Sequence, residues 1–502
     1  MPWLIIGFAA LLRFFLLGIK PPHFDEGING WFVDSSIVKN GFYRYDPTNY
    51  HGPLHFYVLF LSQTLFGRNL WALRLPVVLV STTCVWVTLK FERLVGRNVS
   101  RIAALAMAVS PGFVFYGRYS IHEVWLVLFS MLFIFGLLGL WKFGTPNYLW
   151  CAGMGLTGMI LSKETYMIHV GCAAIATGVC YVSNRLSRAP DARPAKQTWD
   201  YVDLGMVIAT GVALLVFFYS GTFFHWNGVK GIFEAYSAWF ATGNEGHGHE
   251  KPWYYWLKLI APSFQLRADC LGYELPTLAG LILCSFSLRL KNISLRYLAI
   301  YGVGTLIAYS IVRYKTPWCV ISIIWPFVFI FGAALLVISL RYKRPIYITS
   351  AVLLVLSLGS TISLNYFRCT TDTEPYVYVQ TYNDIYKLTD PLLKLARRNP
   401  IAYQLSGHII RASAYPLPWI LDDFPRIGYY EHDNLPPRLD ADFLLVEQDK
   451  IAEVEAKLHE SYFTEPLTIR PYQDTSKVYF NARIFKGFFP RRTPDFTGKG
   501  SG

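Results

Sequence analysis

Residues 21–57, PPHFDEGINGWFVDSSIVKNGFYRYDPTNYHGPLHFY, decide how the rest of the 502-residue chain is read. An apolar segment ends at Lys20, and two adjacent carboxylates, Asp25 and Glu26, follow at once. The stretch closes on His51-Gly-Pro-Leu-His55. A carboxylate just outside a first apolar span is a functional candidate, because charge near hydrocarbon is costly and is kept where it acts. A solvated pair of loop carboxylates is the plain alternative, and the chain on either side argues against it.

Outward from this stretch the composition is that of a membrane protein. Hydrophobic residues make up 53% of the chain and charged residues only 16%, against about 25% charged in a soluble domain. Mean hydropathy is +0.32. The net charge of +13 does not call for nucleic acid, since basic residues collect in the cytoplasmic loops of membrane proteins and set their orientation. The eight cysteines show no CxxC pair and no zinc spacing, so neither a disulfide framework nor a cysteine metal site is expected. The first segment, PWLIIGFAALLRFFLLG, has no basic residues before it and no small-residue cleavage site after it. It reads as a retained span rather than a signal peptide.

A span needs about 20 apolar residues. Eleven candidates fit, near 3–19, 70–90, 101–117, 122–142, 147–162, 166–182, 204–225, 272–290, 297–313, 316–340 and 346–366. The run 53–66 is too short to cross comfortably and is expected to be an interfacial helix. With that assignment the basic loops 91–101, 183–196, 289–296 and 341–344 all fall on one side, the cytoplasmic one. The expected product is a multi-pass plasma (inner) membrane protein with its N-terminus inside. Asp25, the loop near Glu123, the 226–271 loop and the C-terminal region then lie outside. Residues 1–367 form the membrane domain, with a first outer loop at 20–69, and 491–502 are a tail. Residues 368–490 read as a small extracytoplasmic α/β domain: IAYQLS, ADFLLVE, TEPLTIR and KVYFNARIF as strands, TYNDIYKLTDPLLKLARR and QDKIAEVEAKLHE as amphipathic helices. It has no Gly-rich phosphate loop.

Four groups carry candidate chemistry. Asp25 and Glu26 could act as general base or, with Glu123, as ligands for a hard divalent cation such as Mg, Mn or Zn. GRYSIHE (117–123) supplies Arg118, His122 and Glu123 where a span emerges on the outer face. Lys163 in LSKETY, with Arg313 and Lys315 in VRYKTPW, runs against the positive-inside bias and asks for an anionic partner, a lipid phosphate or a local carboxylate such as Glu164. The loop NEGHGHEKPWYYW (244–256) brings His247, His249 and Trp253. It suits an ordering lid over an acceptor better than a metal site, since His-x-His alone is weak.

Taken together, Phe24-Asp25-Glu26, HGPLHFY at 51–57, FGRNLWALRLP at 66–76 and GRYSIHE resemble the GT-C superfamily of glycosyltransferases, including protein O-mannosyltransferases and aminoarabinose transferases. LSKETY, HGHEKPWYYW, LGYELP (271–276), YKTPW and YPLPWILDDFP (415–425) are similar to a prokaryotic subgroup described as flippase activity-associated or dolichyl-phosphate-mannose-protein mannosyltransferase-like. The resemblance implies a polytopic helical GT-C fold that transfers a sugar, with inversion, from a polyprenyl-phosphate donor to a protein, lipid or glycan acceptor. It implies Asp25 as base or acceptor-orienting group beside Glu26, and Glu123 at a second acidic position that is usually Asp. Arg118, His122, Lys163, Arg313 and Lys315 would serve the donor phosphate. His51, His55, His247, His249 and Trp253 would serve the acceptor. A partner protein on the C-terminal domain is a further expectation. Two other readings stay open: a flippase of lipid-linked sugars, and a non-catalytic subunit of an envelope complex.

Overall fold

The computed structural model describes residues 1–49, 51–187, 194–245, 248–261, 274–287, 291–339, 343–430 and 434–498. Its contacts divide the chain into two compact units. One comprises Met1–Leu17, Ser35–Cys369 and Glu374–Tyr376, the other Gly18–Asp34, Thr370–Thr373 and Val377–Gly502.

The larger unit is helical. It begins with α1 (Pro2–Phe14) and includes α3 (Leu54–Phe66), a 13-residue apolar helix where the short run was expected. Every predicted span has a helix within it. Among the described residues, six helices are long and apolar enough to cross a membrane: Leu70–Val95, Glu123–Phe143, Tyr166–Asn184, Tyr201–Tyr219, Pro317–Ile338 and Arg344–Phe367. Their burial differs in a telling way. Leu70–Val95 and Pro317–Ile338 are 78% and 83% buried, whereas only 11% of Tyr201–Tyr219 is covered despite comparable hydropathy. An apolar face of that size left open suits lipid rather than water. Several expected spans are interrupted. The 101–117 run is broken at Ser110, whose hydroxyl caps a second helix, Pro111–Tyr116.

The smaller unit is built on a six-stranded mixed sheet of order β2-β1-β3-β5-β4-β6. The strands are β1 Gly407–Ile410, β2 Ile427–Tyr430, β3 Phe443–Val446, β4 Ser461–Leu467, β5 Ser476–Asn481 and β6 Phe496–Thr497. β1 runs parallel to both β2 and β3, and β5 is antiparallel to β3 and β4. Both faces are covered, which is why FLLV of β3 is apolar throughout rather than alternating. Phe443 and Leu445 pack with Ile409, Phe463, Val478 and Phe480 under the Ile385–Arg398 helix, while Leu444 and Val446 pack with Val454, Leu458, Tyr462 and Tyr479.

The sequence reading of this region needs correction in two segments. KVYFNARIF is a strand only as far as Asn481, and its ARIF is a helical turn, Ala482–Phe485. IAYQLS is not a strand: Pro400 opens a 3-10 turn over Pro400–Gln404, capped by Asn399, and the chain extends only from Gly407. Residues 18–34, which include the start of the expected first outer loop, group with the sheet unit. Gln380 donates to the Pro21 carbonyl (3.2 Å). Here α2 (Phe24–Phe32) lies on the 415–420 turn. A Cβ on Gly27 would fall 2.5 Å from Pro416 Cα, and one on Gly30 would fall 2.4 Å from the Trp419 ring, so only glycine permits this approach.

Candidate active site

The candidate residues fall into two groups, one in each unit. In the helical unit, Gly52 sets the geometry. A Cβ there would meet the Leu161 carbonyl at 2.2 Å, and the Gly52 N–H donates to the Ser162 carbonyl (3.2 Å). HGPLH is thereby pressed against LSKETY, and His51 Nδ1 meets Glu164 Oε2 at 3.0 Å. The His51 and His122 rings lie 4.7 Å apart and the His55 and His122 rings 4.5 Å. Trp125 Nε1–H donates to His55 Nδ1 (3.1 Å). That leaves the proton of a neutral His55 on Nε2, which faces the Ser120 hydroxyl at 3.3 Å. His122 Nε2 is buried with no hydrogen-bond partner.

Beneath the histidines lies a buried ion pair. Glu123 opens the Glu123–Phe143 helix and is 1% exposed. One of its oxygens receives a short hydrogen bond from Lys163 Nζ, and the other accepts from the Ser322 hydroxyl at 2.5 Å. Cys319 Sγ is 3.7 Å from the same ammonium. A cavity of about 70 Å³ opens on this cluster, lined in part by His51, Lys163, Glu164, Tyr309, Thr316 and Trp318. Charges are rarely buried at this depth without being paired, and the pair here is complete. Each Glu123 oxygen thus accepts one hydrogen bond, one of them from a cation. Among the described residues no group of three or more His, Cys, Asp or Glu side chains is arranged to hold a metal ion.

Two other basic candidates are committed to backbone. Arg118, fully buried, donates to the carbonyls of Leu12 (3.2 Å), Arg13 (3.2 Å), Phe15 (2.6 Å) and Leu16 (2.8 Å), and lies over the Tyr366 ring. It thereby helps to satisfy the carbonyls at the end of α1, where the Leu12 carbonyl also accepts from the Tyr366 hydroxyl (2.6 Å). Lys315 Nζ donates to the Lys251 carbonyl (3.1 Å) and, by a short bond, to that of Val312, just past the Ile293–Ile311 helix. The backbone joins two motifs that sequence treats separately. The Lys251 N–H donates to the Arg313 carbonyl (3.3 Å), the Lys315 N–H to the His249 carbonyl (3.1 Å), and the His249 and Tyr314 rings are 4.9 Å apart. Trp253 is 68% exposed. His247 lies outside the described residues.

Asp25 belongs to the sheet unit, at the start of α2. His23 is the N-cap: its Nδ1 accepts from the Asp25 N–H at 3.1 Å, and the His23 N–H donates to Glu26 Oε2 at 2.9 Å, a closed capping box. Glu26, fully buried, is therefore a structural carboxylate. His23 Nε2–H donates to the Tyr378 carbonyl (2.8 Å), so the ring is neutral with its lone pair toward α2. Burial holds its pKa below the usual value of 6.5, against the raising effect of Asp25. The Asp25 side chain, 3.8 Å from that ring, stays 29% exposed. Sequence reasoning missed His23, although His three residues before Glu26 at a helix start is the capping-box spacing. It also missed Ser322, which nothing in its local sequence marks.

Residues 50–214 match the family described as dolichyl-phosphate-mannose-protein mannosyltransferase. No curated protein matches the sequence. Among solved structures, ArnT from Cupriavidus metallidurans bound to undecaprenyl phosphate superposes with a TM-score of 0.63 at 14% identity, over 95% of this chain and 97% of that one. Archaeal oligosaccharyltransferase AglB from Archaeoglobus fulgidus, in complex with an inhibitory peptide and a dolichol-phosphate, gives 0.52 at 11% identity, over 96% of this chain and 74% of that one. The fold of this chain is thus the GT-C fold, helical and polytopic, with a small C-terminal sheet domain.

Proposed function

We propose that this protein is a membrane glycosyltransferase. It moves a sugar from a polyprenyl-phosphate carrier to an acceptor on the extracytoplasmic face, with inversion at the anomeric carbon. The observation that carries this reading is Asp25. It is a part-exposed carboxylate on a capped helix, in a chain that follows over 95% of its length the fold of ArnT, solved bound to undecaprenyl phosphate.

In the mechanism, the Asp25 carboxylate accepts the acceptor's proton as the acceptor oxygen bonds to the anomeric carbon. The carbon–oxygen bond to phosphate breaks on the opposite side, and the carrier phosphate leaves with the electron pair. It needs no general acid, since it is already a stable anion. The capping box fixes α2, and with it the base, and such fixed positioning supplies a large share of a transfer rate. Lys163 is the carrier-phosphate candidate with a cavity beside it; Arg118 and Lys315 serve helix ends. No step is assigned to a metal. The N-terminus is assigned to the cytoplasm and the sheet unit to the outside.

The test is a transfer assay in nanodiscs with radiolabelled polyprenyl-phosphate sugars and membrane extract as acceptor. Wild type is expected to release polyprenyl phosphate, and Asp25→Asn to lose at least about a hundredfold, as for removal of a general base. A folded Asp25→Asn protein that turns over normally would overturn the assignment.

A further inference from the structure

The carboxyl edge of the sheet holds two buried arginines that, among the described residues, form no ion pair. β1 is flanked by β2 on one side and β3 on the other, so the connections leaving β1 and β3 diverge. In sheets with parallel strands that divergence opens a crevice where ligands bind. Arg411 is the first residue beyond β1, and Arg470 follows β4, whose carboxyl end lies at the same edge. They are 3% and 5% exposed. Arg411 donates to the Ser476 hydroxyl (3.1 Å) and to Gln473 Oε1 (2.9 Å), Arg470 to the Ser413 hydroxyl (2.8 Å). The Nε–H of each is buried with no acceptor. Among the described residues neither forms an ion pair. Glu447, the carboxylate that follows β3, is bound by the Ala412 N–H (2.9 Å). Burial first and then the charge of Arg411 bring Arg470 down to about 10 against the raising effect of Asp25, and burial lowers Arg411 against the raising effect of Glu447.

Buried like charges with unused donors are costly unless an anion completes them. Paired guanidiniums offer forked donors matched to phosphate and carboxylate oxygens. The Arg470 guanidinium stacks on Phe24 at 4.1 Å, the residue before Asp25, and Asp25 is near enough for its charge to act on Arg470.

We infer that Arg411 and Arg470 form an oxyanion site that holds a phosphate or carboxylate group of the acceptor next to Asp25. This rests on the reading of Asp25 as the base. The acceptor is favoured over the carrier because all six helices long and apolar enough to cross a membrane lie in the other unit, whereas this edge is built from polar loops.

The experiment uses the full-length protein in nanodiscs and has two arms. In the first, inorganic phosphate and acetate are titrated calorimetrically at constant ionic strength. Wild type is expected to bind phosphate saturably. Arg411→Gln and Arg470→Gln should weaken binding tenfold or more, and Arg470→Lys less. Because they remove unpaired buried charge, the Gln variants should melt no lower than wild type without phosphate. Variants that melt lower, with wild type indifferent to phosphate, would make the arginines structural and overturn the proposal. So would Gln variants that bind phosphate as wild type does. In the second arm, phosphate inhibition of wild-type transfer is measured. Competition against the acceptor supports the assignment. Competition against the donor would put the carrier's phosphate at this edge and overturn the acceptor. Phosphate binding needs no turnover, so failure of Asp25 as base would leave the first arm's result standing and be recognised separately.

Discussion

Glu123 and Lys163 show how a buried charge is kept in an apolar bundle: each is satisfied by the other, and Ser322 takes the remaining carboxylate oxygen. Breaking the pair from one side leaves the other charge uncompensated. Glu123→Gln is expected to cost about 3–5 kcal/mol, read as a fall in thermal stability in detergent. The double variant Glu123→Gln/Lys163→Met should recover much of that loss. Equal instability of single and double variants would argue against a coupled pair. His23 gives a second prediction, in pH. Its folded pKa lies below the ordinary 6.5 because the ring is buried. The unfolded chain therefore binds a proton that the folded one refuses. The contribution is intact above 6.5 and declines as pH falls from there toward the lower folded value. His23→Asn retains a good N-cap and removes the titration. Its melting temperature should fall less between pH 7 and pH 5 than that of wild type, and parallel curves would contradict the neutral-imidazole assignment.

At the scale of elements, the packing of α2 turns on two glycines. Alanine is a better helix former than glycine by about 1 kcal/mol, so Gly30→Ala in an exposed helix would stabilise. Here the added methyl meets the Trp419 ring at 2.4 Å, and overpacking costs about 1–3 kcal/mol. Gly30→Ala should lower the melting temperature, and a rise would mean that Trp419 yields freely. The helices of the bundle were legible from apolar runs alone, and α3 was legible as a short one. The sheet was legible where strands are apolar on both faces, as in FLLV. It was not legible at GHII and IGYY, where strands of four residues carry too few positions for any period. Asp25 and Lys163 stood out by charge against an apolar background. Arg118 stood out equally, yet its guanidinium closes the end of α1, because charge in an apolar segment announces a partner without saying whether it is a ligand or a backbone carbonyl. Arg411 and Arg470 were invisible for the opposite reason: they sit in a polar region where arginine is ordinary, and only burial sets them apart.

For the whole molecule, the proposed topology rests on the charge pattern of the sequence, which places the basic loops inside and the sheet unit outside. Reporter fusions check it. An alkaline phosphatase fused after residue 498 should be active in intact cells and one fused within 91–101 inactive. The reverse pattern would remove Asp25 and the sheet unit from the extracytoplasmic side. The division into units has a further consequence, in the timing of synthesis. The sheet unit takes in Gly18–Asp34 and then nothing substantial until Val377. Some 340 residues separate these pieces. At about 5–20 residues per second, Asp25 leaves the ribosome roughly 20–70 s before the segments on which its helix rests. Over that interval His23 has no Tyr378 to bind and Gly30 no Trp419 to rest against. The carboxylate assigned to catalysis takes up its final surroundings only when nearly all of the chain has been made, so a protein truncated late in translation would carry its base without the setting that positions it.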